Sequence, residues 1–442
     1  EMCIRDSIRP LPCKISSCFL MTGRKIYRLT AAVLAAVSFL SACEARGRSL
    51  PGELKKASPE SMSMNSSRLA LIDSTVNAAV AEGLIPGAVV AVVKEDKLVY
   101  IKPFGNKSVV PDTVAMTEET VFDLASCSKC VGTTLSFMQL IEHGKVRLHD
   151  PVSRYIPGFR PWTSEDGKVD ITVEHLLTHS SGIDPYLNVN SFVEKYGENQ
   201  PDSLVRYISD KAGRNFRPGT EFMYSCLNFI ALQAILEKVT GERLCDYAME
   251  NVFRPLGLKH TGYLPVGETP VIDLKYCAPT EVQPDGAPLC GQVHDPLARR
   301  INGGNSGNAG VFSDAMGLSV ICAAIMNGGT ANGVSILSPS AIDLMARVPE
   351  DIDGGVGRAL GWDHHSTHSG PRGDLFDRES TICHTGYTGP SIVIDMKNRT
   401  ALIILTHRVH PQDKGSLARF RAVIANIVAS SMMTSSCGKP GI

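Results

Sequence analysis

Apolar residues recur with a helical period near both ends of the chain, and short β-branched runs lie just inside them. Residues 67–82 place four apolar side chains on one face: Leu69, Ile72, Val76 and Ala79. This spacing predicts a helix that ends at Gly83. The apolar runs 88–93 and 98–101 flank the polar residues 94–97 and predict a β-hairpin.

The same two elements return in reverse order toward the other end. The runs 391–395 and 401–406 predict a second hairpin. Residues 416–430 predict a helix with apolar residues on one side: Leu417, Phe420, Ile424 and Ile427. Residues from about 125 to 330 are mostly helix and loop, without a repeat or a Pro-rich linker. We therefore expect an α+β fold, in which an antiparallel sheet built from both ends is flanked by the N- and C-terminal helices and joined to a mostly helical lobe.

The first part of the chain is typical of a targeting segment. Residues 1–20 fit no signal-peptide layout, so we interpret them as a non-native leader. Basic residues after Met21 precede the apolar run 29–40, which is too short to span a bilayer and suits a signal-peptide core. The run ends in Leu40-Ser41-Ala42-Cys43, which resembles a bacterial lipobox with Cys43 as the lipidated residue. An ordinary signal peptide with a chance cysteine and a short hydrophobic anchor are the alternatives.

These features predict a lipoprotein signal peptide over 21–43, a polar tether over 44–66, one domain over 67–432 and a tail over 433–442. The expected location is the bacterial cell envelope, facing the periplasm and held to a membrane by the lipid anchor. Lys and Arg number 44 and Asp and Glu number 45, which argues against a nucleic-acid partner. Of 13 cysteines, three lie in the leader, Cys43 is the lipid site and nine remain. At least one of these nine is expected to be free or paired between chains.

Three short motifs carry the candidate chemistry, and each is weak alone. Ser126 and Lys129, in Ser126-Cys127-Ser128-Lys129, open an apolar-periodic segment and would share a helix face. A helix N-terminus stabilises negative charge that develops on a serine. A neighbouring lysine can accept the hydroxyl proton if burial or another cation lowers its pKa.

The second motif, Tyr224-Ser225-Cys226, precedes a predicted helix over 227–239, where a tyrosine can project its hydroxyl into a cleft. A packed aromatic ring is the alternative. The third, His384-Thr385-Gly386, continues toward the strand 391–395, and small residues on a strand edge let a substrate's backbone approach. A Gly-rich segment that simply leads into a strand is the alternative interpretation.

In this order and spacing, the three motifs resemble those of the serine β-lactamase and penicillin-binding-protein superfamily. The chain is most similar to the class C β-lactamase-related branch, which includes D-alanyl-D-alanine carboxypeptidases and esterases. Residues 171–182, 253–258 and 307–313 support the resemblance, and 291–295 resembles a stretch of a carboxypeptidase subgroup. The resemblance covers about residues 68–430. It implies a β-lactamase/transpeptidase-like fold with the active site between the lobes.

The resemblance also implies a role for each motif residue. Ser126 attacks an acyl carbonyl and becomes the acyl-enzyme, while Lys129 and Tyr224 take its proton and give it to the leaving group. The backbone N–H groups of Ser126 and Tyr387 form the oxyanion hole. His384 stands where many relatives carry Lys, and it binds a substrate carboxylate or steadies Tyr224, with a charge that changes near neutral pH. Three further positions are expected to bind substrate: Cys226, Thr385 and Gly386.

Two departures from the family pattern affect the expected activity. Cys226 takes a position where relatives usually carry a polar residue such as Asn or Asp, and a thiol is a weak hydrogen-bond partner. His384 in place of Lys is common in the esterase and carboxypeptidase relatives, and it makes efficient β-lactam hydrolysis a weaker expectation.

Rival motifs point to other chemistry. Cys127-Ser128-Lys129-Cys130 is also a C-x-x-C pattern, but no second C-x-x-C supplies a zinc site, and we interpret its thiols as small buried side chains. Asp363, His364, His365 and His368 suit a metal cluster or, in our preferred interpretation, a solvated loop. We expect no metal and no cofactor.

The predicted protein is a serine hydrolase that works through an acyl-enzyme on a D-alanyl peptide or a small ester or amide. Carboxypeptidase or esterase activity is expected before true β-lactamase activity. The alternative is a catalytically idle relative that binds muropeptides or signals, which Cys226 would suit and the intact Ser126, Lys129 and Tyr224 would not.

Overall fold

The computed structural model describes residues 52–165, 167–350, 352 and 356–433. The predicted leader, signal peptide and Cys43 lie outside these residues, as does the tail beyond Met433. No helix within the described residues is long and apolar enough to cross a membrane.

Eleven α-helices are formed by the described residues: α1 Ser66–Leu69, α2 Leu71–Ala81, α3 Leu135–Glu142, α4 Val173–Leu177, α5 Val189–Tyr196, α6 Pro201–Asp210, α7 Cys226–Thr240, α8 Leu244–Ala248, α9 Ala315–Met326, α10 Pro339–Ala346 and α11 Ala418–Ser431. The strands are β1 Lys55–Lys56, β2 Gly87–Lys94, β3 Lys97–Ser108, β4 Val114–Ala115, β5 Phe122–Asp123, β6 Trp162–Ser164, β7 Gly167–Val169, β8 Gly262–Tyr263, β9 Val311–Ser313, β10 Thr330–Ala331, β11 Val334–Ser335, β12 Thr381–Thr385, β13 Ser391–Asp395 and β14 Thr400–Thr406.

The main sheet joins strands from both ends of the chain, in the order β1-β3-β2-β14-β13-β12, with β4 paired to β3. Its pairs are antiparallel except β1 with β3. The central pairing places Val90 opposite Ile404 and Val93 opposite Ala401. The predicted antiparallel sheet built from both termini is therefore confirmed.

The apolar run of β2 is buried on both faces of the sheet, which explains why it does not alternate with polar residues. Val89, Ala91 and Val93 pack in the same cluster as the mostly apolar helix α9. Val90 and Val92 belong to the opposite cluster, which contains α2 and α11. The helical lobe, with α3 to α8, extends the first of these clusters.

Several predicted elements differ from the structure in their bounds. The helix expected over 67–82 is interrupted after Leu69 and continues as α2. The second hairpin matches β13 and β14, and the last helix matches α11 within two residues. His384 and Thr385 belong to a separate strand, β12, which pairs with β13 along its length, so the predicted direct continuation into 391–395 is wrong.

The tether predicted over 44–66 is wrong for its described part. Lys55 and Lys56 pair with β3, and Leu54 and Met64 are buried. A strand of two residues is too short to show a period in the sequence.

The segment just before α1 meets the segment just after α11. Met64 forms a β-bridge with Met432, Asn65 N–H donates to Ser431 O at 2.8 Å, and Met433 N–H donates to Ser63 O at 2.9 Å.

Candidate active site

Ser126 lies in a strained turn between β5 and the helical lobe. Ala125 has φ +44°, a left-handed conformation that is uncommon for a residue other than glycine. Its N–H donates to Asp123 Oδ1 at 2.8 Å, which fixes the turn. Ser126 then sits in a 3₁₀ turn and Lys129 opens a π-helical turn that leads into α3. The regular helix predicted at this motif is therefore distorted at its start, as is frequent at functional sites.

Lys129 is fully buried, and its ammonium group contacts three acceptors. Lys129 Nζ donates to Ser126 Oγ at 3.1 Å and to Asn308 O at 2.8 Å, and it contacts Cys226 Sγ at 3.5 Å. It also lies 5.0 Å from the centre of the Tyr224 ring. The predicted pairing of serine and lysine is thus present, and the thiol of Cys226 takes part in it.

Lys129 and Tyr224 are electrostatically linked. Burial by itself lowers the pKa of Lys129, but Cys226, Tyr224 and Asp295 oppose it and the net pKa is raised. Burial also raises the pKa of Tyr224, against the Lys129 cation, which lowers it. The resting pair therefore consists of an ammonium and a neutral phenol, and a proton must leave the pair as a whole before it can accept one from Ser126.

The chain before α7 holds Tyr224 among aromatic and cationic groups. Ser225 caps α7 through Asn228 N–H, so Tyr224 precedes the helix as predicted. The ring of His179 lies 4.4 Å from the ring of Tyr224, and His179 Nδ1 accepts from Ser225 N–H at 3.0 Å. The guanidinium of Arg358 lies 6.0 Å from the Tyr224 ring. Tyr224 Oη is buried and has no hydrogen-bond partner within the part of the chain that the structure describes.

His384 is a neutral ring in this structure. Burial, and next the Arg358 cation, lower its pKa to about 3. Nδ1 lies 2.9 Å from Thr385 O, so Nδ1 carries the proton and Nε2 is an acceptor, which has no partner among the described residues. The predicted charge change near neutral pH is therefore wrong, because the sequence did not show that this ring would be buried, nor that the Arg358 cation would act on it.

Arg358 and Asp363 form a buried ion pair that the motifs did not reveal, with Nη1 2.6 Å from Oδ1. His368 continues the same wall, and its ring stacks 6.1 Å from the Tyr224 ring. The solvated loop expected around Asp363 is thus wrong for Asp363 and His364, which are buried. Within the described ranges, no group of three or more His, Cys, Asp or Glu side chains is arranged to hold a metal ion. In the sequence, only the local density of histidine pointed to this wall of the site.

Two cavities open on either side of Ser126, Tyr224 and Tyr387. The larger, about 790 Å³, is also lined by Cys226 and Asp295. The smaller, about 330 Å³, is also lined by the third motif and by charged residues: His384, Thr385, Gly386, Asp363, Arg408 and Arg421. The predicted site residues are therefore brought together. Lys129 does not line either cavity but lies buried behind Ser126.

The turn that carries Tyr387 is held by Arg421 of α11. Arg421 Nη2 donates to the carbonyls of Gly386, Gly389 and Pro390 at 3.2, 2.6 and 3.2 Å. Burial lowers the pKa of Arg421 to about 10, so it remains a cation. The predicted oxyanion hole, formed by the N–H groups of Ser126 and Tyr387, stays a prediction, but both residues line both cavities.

The thiols of the C-x-x-C pattern are buried and unpaired. Burial raises the pKa of Cys127 to about 12, and it also raises that of Cys130, whose Sγ lies 3.2 Å from Gly361 O. Thiols of high pKa react slowly, so this pattern does not supply a redox centre.

The family model described as Beta-lactamase matches residues 72–426, which is most of the chain. The chain belongs to the Beta-lactamase family. A relative from Salmonella typhimurium (strain LT2), named "Putative D-alanyl-D-alanine carboxypeptidase", is 30% identical over 383 residues, covering 81% of this chain and 86% of the relative.

Several solved structures share the fold. The structure of "EstCE1, a hydrolase with promiscuous acyltransferase activity" is 25% identical, with a TM-score of 0.65, covering 82% of this chain and 99% of that one. Unliganded simvastatin synthase from Aspergillus terreus is 20% identical, with a TM-score of 0.63, over 84% of this chain and 99% of that one. The octameric penicillin-binding protein homologue from Pyrococcus abyssi is 23% identical, with a TM-score of 0.57, over 76% of this chain and 73% of that one. The resemblance to this superfamily and the predicted α+β fold are thereby confirmed.

Proposed function

We propose that this chain is a serine hydrolase that forms an acyl-enzyme on Ser126. The observation that carries the proposal is the contact of Lys129 Nζ with Ser126 Oγ, 3.1 Å apart, between two cavities that share the serine. One cavity would hold the acyl group and the other the leaving group. Lys129 and Tyr224 would together accept the hydroxyl proton and return it to the leaving group.

The proposed substrates are D-alanyl peptides of peptidoglycan and small esters or amides, with weak β-lactam reactivity. The name of the Salmonella relative supports the peptide, and the description of EstCE1 as a hydrolase with acyltransferase activity supports acyl transfer more generally. Lipid attachment at Cys43 and a periplasmic location belong to the same proposal.

The test is covalent labelling with a fluorophosphonate probe and a fluorescent penicillin. Wild-type protein should be labelled, the adduct should map to the peptide that contains Ser126, and Ser126→Ala should abolish labelling. Ser416→Ala is the matched control, because Ser416 lines the smaller cavity and its hydroxyl accepts from Ala418 N–H near the start of α11. Unchanged labelling of Ser126→Ala would exclude this serine as the nucleophile.

A substrate panel then separates the activities. It would contain a D-Ala-D-Ala peptide, nitrocefin and a short-chain nitrophenyl ester. If no substrate is turned over and no probe labels the wild-type protein, the idle muropeptide-binding protein becomes the better description.

A further inference from the structure

We infer that Asp295 is a positioning residue for Lys129. It orients the ammonium group through Asn308, and its negative charge makes Lys129 hold its proton more strongly. The inference rests on the proposed function, because it concerns the group that takes the proton of Ser126. Asp295 lines the larger cavity beside Ser126 and Cys226.

A chain of hydrogen bonds connects Asp295 with Lys129. Asp295 Oδ2 accepts from Asn308 Nδ2 at 3.0 Å, and the backbone carbonyl of the same Asn308 accepts from Lys129 Nζ at 2.8 Å. Asn308 is fully buried, and its Oδ1 accepts from Ser306 Oγ at 2.7 Å. The side chain of Asn308 is thereby held on both ends, so its carbonyl points at the ammonium in a fixed direction.

Asp295 itself is held in place by a donor from another segment and by two backbone donors of its own segment. Its Oδ1 accepts from Tyr186 Oη at 2.7 Å and from the N–H groups of Leu297 and Ala298 at 2.8 and 3.1 Å. With Asn308, four donors converge on this side chain, which is the pattern of an ionised carboxylate. A fixed negative charge is therefore connected to Lys129 through one residue, Asn308.

Lys129 also interacts with titratable groups other than Asp295. These come from four segments: Cys127, Cys130, His179, Tyr224, Cys226 and His384. At neutral pH the buried thiols and rings of this set are uncharged, because burial raises the pKa of the thiols and lowers the pKa of the histidines. Asp295 is the carboxylate that raises the pKa of Lys129. Without it, the pair of Lys129 and Tyr224 should lose a proton more easily.

The experiment measures the rate of fluorophosphonate labelling from pH 5 to 10 in the full-length protein. Asp295→Asn should slow labelling about 10- to 100-fold on the plateau above the acidic limb, because Lys129 is less well oriented and deprotonation no longer limits the rate there. It should also move the acidic limb of the profile to lower pH by on the order of one unit. Tyr186→Phe is the matched control, since it removes one hydrogen bond to the same carboxylate and keeps the charge. The acidic limb of its profile should therefore stay at the wild-type pH.

Asn308→Ala separates orientation from charge. It cuts the hydrogen-bond chain but leaves both the carboxylate and the backbone carbonyl, so labelling should slow while the limb remains at the wild-type pH. The inference is overturned by a wild-type limb in folded Asp295→Asn, which would reduce Asp295 to a structural role, or by wild-type labelling of Asn308→Ala. The second result applies even if Asp295→Asn does not fold. Failure of the proposed function is distinguishable, since it would appear in Ser126→Ala.

Discussion

The side of Tyr224 that faces Lys129 and the side that faces His384 differ in how their polar atoms are paired. On the first side, the ammonium contacts Ser126 Oγ, Asn308 O and Cys226 Sγ. On the second, His384 Nε2 is buried without a partner among the described residues. Unpaired buried polar atoms are costly, so they are expected to be satisfied by water or by substrate. The protein thus organises the proton-transfer side in advance and leaves the other side to be completed on binding.

The largest effect on stability is expected from breaking the ion pair behind the open side. Arg358→Met leaves the Asp363 carboxylate buried without its cation, which should lower the free energy of unfolding by about 3–5 kcal/mol. Urea denaturation checks this value. Lys397→Met, which breaks the exposed pair with Asp377, should cost less than about 1 kcal/mol. Equal losses in the two variants would show that the buried pair has no special weight.

The second largest effect on stability is expected from acidification, which should lower the free energy of unfolding. Burial, aided by Arg358, lowers the pKa of His384 to about 3, and burial lowers that of His407 to about 3 as well. Between about pH 6.5 and 3 the unfolded chain therefore binds protons that the folded chain does not, so stability falls as pH falls. Each histidine should contribute a loss of about 1–3 kcal/mol by pH 4.5.

The measurement is the free energy of unfolding at pH 7 and pH 4.5. His384→Gln and His407→Gln should each reduce the difference between the two values. If His384→Gln leaves the difference unchanged, folding does not lower the pKa of His384, and the contrast between the two sides is wrong.

The smallest effect is expected on the paired side, at Cys226. Because a thiol is a weak acceptor, Cys226→Ala should lower kcat/KM for a nitrophenyl ester less than about 10-fold. Cys226→Asn supplies a stronger acceptor, and it should raise amide turnover relative to ester turnover. Asp295 fixes the carbonyl of Asn308, which accepts from Lys129. If activity fell as much in Cys226→Ala as in Asp295→Asn, the thiol would hold Lys129 as strongly as that carbonyl does.

The motifs led to one part of this candidate site. Ser126, Lys129, Tyr224 and His384 could be found because each carries its chemistry in a short pattern, and the central strands could be found because long β-branched runs are distinctive. The contribution of Asn308 was not visible, because it acts through a backbone carbonyl, which every residue has. The pairing of Arg358 with Asp363 and the neutrality of His384 depend on burial, which a local pattern does not show.

The contact between β-bridge residues Met64 and Met432 has a consequence for how the body can be rearranged. Because Ser63 and Met433 are joined by a backbone hydrogen bond, a short connector could close residues 63–433 into a ring. Circular permutation, with the chain reopened in an exposed loop, would then keep every strand pairing of the central sheet except that of β1 with β3, because β1 precedes residue 63.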